Sequence, residues 1–196
     1  MTRRRPWRAG RLAALVLSAA TLVVGAGGAA ACGGPAGPAL YHNATYGISI
    51  RVDRRLTEWR TASAGGAFEV SFVDTAGAVV DGRHLDALTV SLVDTGATPP
   101  GQQAALTSAL RALGTTMIGK LGTNAQVGTV SDVSLNGLTG IVVPYGVTVS
   151  GRPVVGWLYL LSGSGHIYAL TAGATAASWS TYRPIFYRAI GSFRAP

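Results

Sequence analysis

The chain has 196 residues, one cysteine, and sixteen Lys and Arg against eight Asp and Glu, a formal net charge of +8. An intrachain disulfide needs two cysteines, so that route to stability is closed. Five of the sixteen bases precede Cys32, which leaves eleven bases against eight acids from there on. The remaining 165 residues suit one domain with a real core, and their basic residues are too few and too scattered to form a nucleic-acid backbone site.

Arg3, Arg4, Arg5, Arg8 and Arg11 form a basic cluster with no acid before Asp53. An uncharged run with apolar parts at Leu12–Leu17 and Leu22–Val24 follows, and small residues lead into Ala29-Ala30-Ala31-Cys32. That order of basic, apolar and small segments is the anatomy of an export signal, with the positive end retained in the cytoplasm. Residues 1–31 are therefore read as a lipoprotein signal peptide. Small residues before a cysteine resemble the lipobox of bacterial lipoproteins, in which the thiol is acylated, although Ala29 stands where that family usually has Leu. The same alanines fit ordinary cleavage, which would release a secreted protein. Uncleaved, an apolar segment of about 20 residues is long enough to span a bilayer. The lone cysteine at the lipobox position favours acylation of Cys32, and two or more acyl chains give stable anchoring where one does not.

Residues 32–40, with Gly33-Gly34-Pro35-Ala36-Gly37-Pro38, read as a Gly/Pro tether, and residues 41–196 as a single domain. Ile48, Ile50 and Val52 alternate as the buried face of a strand, and Leu56 and Trp59 enter a second. Gly65-Gly66 turns into a strand with Phe68, Val70 and Phe72 inward. Residues 74–86 read as a polar loop, Leu88, Val90 and Leu92 mark another strand, and Asp94-Thr95-Gly96 closes it. Pro99-Pro100 marks a change of structure.

Leu106, Leu110, Leu113, Met117 and Leu121 then form the apolar stripe of a helix of about twenty residues. Gly114 and Gly119 weaken it by about 1 kcal/mol each relative to Ala, so packing must hold it. A β meander follows. Val127 to Leu135 is predicted as one strand, Asn136-Gly137 as a hairpin turn, and Ile141 to Val149 as a strand in which Pro144 implies an edge or a bulge. After Ser150-Gly151, Val154 to Leu161 is apolar on both faces, as expected of a central strand covered on each side. Residues 162–165 turn into the His166–Leu170 strand. A short helix carries Ile185, Phe186 and Ile190, with Pro184 expected in its first turn, and Phe193 docks the C-terminal end. Hairpin turns this short require antiparallel pairing. The expected class is α+β, a curved antiparallel sheet with two main helices packed against it.

Tyr46-Gly47-Ile48-Ser49-Ile50, Leu135-Asn136-Gly137-Leu138-Thr139-Gly140, Ile167-Tyr168-Ala169-Leu170 and the run from Phe186 to Ser192-Phe193-Arg194 resemble the PsbP-like superfamily, and within it the LpqN-type envelope lipoproteins of actinobacteria. The likeness spans nearly the whole domain. One departure is that Asp53-Arg54-Arg55 leads to Trp59 where a P-x-x-W turn is common. The resemblance implies a PsbP-like α/β/α sandwich and a non-enzymatic accessory or binding module with no cofactor. It supplies no catalytic motif.

The residues themselves offer little chemistry. Ser162-Gly163-Ser164-Gly165 lacks the G-x-S-x-G spacing and precedes a strand, so it reads as a turn and not a nucleophile elbow. His84 and Asp86, in Asp81-Gly82-Arg83-His84-Leu85-Asp86, are the one acid/base pair near in sequence, and an envelope hydrolase using them is the enzymatic alternative. They match no metal-ligand spacing. Trp59, Trp157, Tyr159 and Tyr168 are the first candidates to line a ligand groove, and Trp179 and Tyr182 could join them. The expected partners are the lipid membrane, reached through acylated Cys32, and a lipid or envelope protein. A passive structural part of an envelope complex is a further reading.

Overall fold

The computed structural model describes residues 37–59, 68–93 and 103–196, with side chains of the long helix from Leu106 onward. The segment read as an export signal, with Cys32, the Gly65-Gly66 turn, Asp94-Thr95-Gly96 and Pro99-Pro100 lie outside them. The elements are β1 (Ala39–Asn43), β2 (Ile48–Val52), β3 (Thr57–Trp59), β4 (Glu69–Val73), β5 (Val79–Val80), β6 (Arg83–His84), β7 (Ala87–Val93), α1 (Gln103–Leu121), β8 (Thr123–Val127), β9 (Ser131–Leu135), β10 (Leu138–Val149), β11 (Arg152–Gly163), β12 (His166–Thr175) and α2 (Trp179–Gly191). The main sheet runs β3-β4-β7-β12-β11-β10-β8, with β9 also on β10, and every pair in it is antiparallel.

Two cores lie on opposite faces of this sheet. Leu106, Leu110 and Ile118 of α1 pack with Ile141, Val143, Leu158 and Leu160 on one face. Ile185, Phe186 and Ile190 of α2 pack with Ile48, Ile50, Leu161, Leu170 and Phe193 on the other, where the β1–β2 hairpin completes the layer. This is the expected α+β class, with helices on both faces of an antiparallel sheet. Fully burying one such aliphatic side chain contributes about 1.5–3 kcal/mol, so the layers hold each other. The central placement of β11 follows from its composition: Leu158 and Leu160 face α1 while Tyr159 and Leu161 face α2.

The hairpins share one device. Asp81-Gly82, Asn136-Gly137, Ser150-Gly151 and Ser164-Gly165 all have positive φ at both residues, which matches the twist of the strands they join. Asp81-Gly82 shows why residues 74–86 are not a plain loop: it closes the small β5–β6 hairpin.

Four further sequence expectations shift. Strand β1 begins at Ala39, within the segment read as a tether, and pairs with β2 from Ala39 opposite Val52. The strand expected from Val127 to Leu135 is two, β8 and β9, laid end to end along β10. Pro144 explains the break. It stands opposite Trp157 on β11, while its carbonyl accepts from the Gly128 amide (2.8 Å) on the other side. In an antiparallel strand a residue's N and O point the same way, so the missing N–H faces the gap between β8 and β9 and leaves the β11 ladder intact. Pro184 lies in the second turn of α2, not the first, and is tolerated on its solvent side. On α1, Ile118 is fully buried and Gly114 sits at the contact. A Cβ there would lie 3.3 Å from Val143 Cγ2, so this glycine permits close approach to the sheet.

Candidate functional site

The structure disperses the four aromatic candidates. Trp59 is 40% exposed on edge strand β3, with its ring 5.1 Å from that of His84. Trp157 lies on β11, four strands across the sheet, or about 19 Å at ordinary strand spacing. Tyr159 and Tyr168 share the α2 side of the sheet with Trp157, but both are buried, and Tyr168 packs its ring 5.6 Å from Phe193. Trp157 instead meets Trp179 (4.9 Å) and Tyr187 (6.5 Å), and the Arg183 guanidinium lies 5.6 Å from its ring centroid. Tyr187 is 66% exposed. This group forms an aromatic and cationic ridge along α2.

His84 and Asp86 do not form a dyad. Asp86 is 2% exposed and accepts from the Ala78 amide (3.0 Å), the Thr175 amide (3.1 Å) and the Ser178 hydroxyl (2.7 Å). His84 Nδ1 lies 3.2 Å from the Asp74 carbonyl oxygen. Asp74 in turn accepts from the Tyr182 hydroxyl and from the Ala76 amide (2.8 Å). The cluster therefore ties the β5–β6 hairpin to the end of β12 and the start of α2. A buried carboxylate is tolerated because every oxygen has a donor. Among the described residues no group of three or more His, Cys, Asp or Glu is placed to hold a metal ion.

Two buried tyrosines are expected to make stability fall at alkaline pH. Burial raises the pKa of Tyr145, whose hydroxyl donates to the Ala172 carbonyl (3.3 Å). Burial also raises that of Tyr182, with the Asp74 hydrogen bond and the charges of Asp74 and Asp86 adding to it and Arg55 opposing. A pKa raised in the folded state means stability is complete below the unfolded value of 10.0 and falls above it. Urea midpoints should hold up to about pH 10 and then drop, by up to about 1.4 kcal/mol per pH unit for each such tyrosine. Tyr145→Phe should flatten part of that slope. An unchanged slope in this variant would exclude Tyr145 as a source.

A surface cleft of about 430 Å³ lies between α2 and the end of β2. Arg51, Asp53 and Arg54 line one side, and Ile185, Arg188 and Ser192 the other, with Gly37 and Pro38 beside them. The C-terminal segment holds the walls together. Ser49 and Arg194 exchange backbone hydrogen bonds (2.9 and 2.8 Å), and the Arg51 amide donates to Ser192 Oγ (2.8 Å). Asn136 Nδ2 donates to the Gly191 and Phe193 carbonyls (3.1 and 2.8 Å), fixing the end of α2 from the β9–β10 turn. Arg188 lies 3.8 Å from Asp53, and Arg54 Nε donates to the Gly37 carbonyl (2.9 Å). Sequence reasoning passed over this site because Arg51 and Arg188 come to one cleft only through that docking. The available signal was Arg51, the charged outward residue of an otherwise apolar alternation.

No family model and no curated protein sequence matches the chain. Solved structures do. Cyanobacterial PsbP (CyanoP) from Synechocystis sp. PCC 6803 aligns with a TM-score of 0.63 at 14% identity, over 85% of this chain and 98% of that one. The fold is PsbP-like. LpqN of Mycobacterium tuberculosis, described as involved in cell envelope biogenesis, aligns with a TM-score of 0.52 at 15% identity, over 81% of this chain and 90% of that one. The Saccharomyces cerevisiae Ran-binding protein Mog1p aligns at 0.50 and 10% identity, over 82% and 96%. At these identities the likeness is one of fold. It bears out the PsbP-like resemblance at that level, with LpqN as a structural neighbour. Among the described residues of this PsbP-like domain no helix is long and apolar enough to cross a membrane.

Proposed function

We propose that the chain is an extracytoplasmic binding or accessory module of the cell envelope, held to the membrane by an acylated Cys32 and acting by recognition and not by bond chemistry. The observation that carries this reading is the export segment ending in the chain's one cysteine, a few residues before a folded domain. Two features support recognition. The nearest acid/base residues, His84 and Asp86, are engaged in holding the β5–β6 hairpin in place. Solved proteins of similar fold carry names that speak of envelope biogenesis and of Ran binding. The partner is an envelope lipid or protein.

Cys32→Ser tests the anchor. The wild-type N-terminal peptide should carry acyl mass and the protein should partition with membranes, and the substitution should remove both. Membrane association unchanged by the substitution would favour an uncleaved span, and a wild-type protein without acyl mass in the soluble fraction would favour simple secretion.

A further inference from the structure

We propose that the cleft lined by Arg51, Arg54 and Arg188 docks the headgroup phosphate of an anionic phospholipid in the membrane that carries the anchor, so that the α2 layer lies against the bilayer surface. This rests on the anchored reading above and adds an orientation and a ligand chemistry to it.

Charge distribution is the first argument. Around β2, α2 and the C-terminal segment the charged side chains are Arg51, Arg54, Arg55, Arg183, Arg188 and Arg194 against Asp53, with Asp74 and Asp86 bound to Tyr182 and Ser178 at the start of α2. Six arginines against these three acids leave an excess of three positive charges on this layer, and α2 itself holds no acid. On the opposite layer, Arg111 of α1 lies 3.6 Å from Asp132. Arginines that line one cleft from a strand end and a helix suit the tetrahedral oxygens of a phosphate, which guanidinium groups bind through charge-assisted hydrogen bonds.

Reach is the second argument. Gly37, whose carbonyl is bound by Arg54, is five residues from Cys32. At full extension five residues span about 17 Å, so an acylated Cys32 keeps the cleft close to the interface. Electrostatic attraction to an anionic surface extends over about 8–10 Å at moderate salt, about half of that maximum span.

The third argument is the ridge beside the cleft. Tyr187, next to Arg188 in the chain, is 66% exposed, and Trp157, under Arg183, touches both it and Trp179. Tryptophan and tyrosine beside arginine are the side chains that settle at the headgroup level of a bilayer, with an apolar ring and a polar edge. The same face thus carries charge for the phosphate and rings for the interface.

The test uses the whole chain, expressed with its export segment and reconstituted as recovered into phosphatidylcholine vesicles containing a photoreactive phosphatidylglycerol. Labelling is expected on peptides holding Arg51 to Arg54 and Arg188 to Ser192. It should fall about tenfold in R54E/R188E, in the milder R54Q/R188Q, and in strong salt, and stay unchanged in R111E/K120E on the α1 face. Melting temperatures of the variants separate loss of docking from loss of fold. Equal labelling from a photoreactive phosphatidylcholine, labelling centred on α1, or competition by free inorganic phosphate would each overturn the proposal, the last by pointing to a soluble phosphate site. The mass of the N-terminal peptide reports the anchor separately. Absence of acyl mass with the cleft still labelled would sink the anchor and sustain the docking.

Discussion

Gly156→Ala is expected to destabilise the domain by about 3 kcal/mol or more, lowering the melting temperature by roughly 6–12 °C for a chain of this length. An added Cβ would stand 2.1 Å from the Ala172 carbonyl oxygen and 2.6 Å from the Tyr145 ring. Gly156 faces Tyr145 on one neighbouring strand and Gly173 on the other, so the tyrosine ring lies across a glycine gap in two strands. A backbone atom cannot rotate away, and Tyr145 is itself buried. The comparison with Gly173 sharpens the test. There a Cβ meets the Tyr145 hydroxyl at 2.6 Å, with Val154 Cγ1 next at 3.5 Å. Tyr145→Phe should therefore rescue much of the loss in Gly173→Ala and little of that in Gly156→Ala. Thermal and urea unfolding of the two singles and the two doubles measure this. Equal rescue at both positions would show that the Ala172 carbonyl is not the obstacle.

Asp86→Asn should cost about 2–3 kcal/mol, although it keeps the shape and removes a buried charge. The carboxylate accepts at both oxygens: Ala78 donates to Oδ2, and Thr175 and Ser178 donate to Oδ1. An amide offers one oxygen, so its NH₂ must face at least one N–H or O–H donor and leave it buried without a partner. Hydrogen bonds to a charged group contribute about 1.5–3 kcal/mol, and an orphaned buried donor costs a similar amount. Ser178→Ala removes one donor alone and should cost nearer 1 kcal/mol. Urea midpoints decide between them. If Asp86→Asn unfolds with wild-type stability, the carboxylate is not the pin that joins the β5–β6 hairpin to α2. Hydrogen exchange at Val79 and His84 reports the same event locally, since loss of the pin should open that two-stranded piece first.

These two positions show where reading the sequence stops. Gly156 reads there as one glycine in an apolar strand, and a strand glycine means a bulge or a close approach without saying to what. Asp86 reads as one acid of a polar loop. Its donors are eight residues away on one side and about ninety on the other. The cleft is the same case, since Arg51 and Arg188 are linked by a C-terminal segment that returns to pair with Ser49. The separation of Trp59 from Trp157 belongs here too, because strand order, not sequence distance, sets it.

By itself, the sequence determined what depends on short-range pattern. Alternation at Ile48, Ile50 and Val52 set a buried strand face, the i, i+4 leucines set α1, and Asn136-Gly137 and Ser150-Gly151 set hairpin register through backbone conformations that glycine alone adopts cheaply. Those local rules, together with the resemblance at Tyr46 to Ile50 and at Phe186 to Arg194, were enough to expect the PsbP-like class. Only the tertiary structure decided which residues share a surface. Side-chain period fixes the face a residue occupies, but the partner across that face comes from strand order and layer packing, which are chosen by burial summed over the whole core. Hence β8 and β9 divide at a proline on another strand, Asp86 finds its donors on β12 and at the N-cap of α2, and six arginines spread over the sequence gather on the layer from which the chain leads back to Cys32.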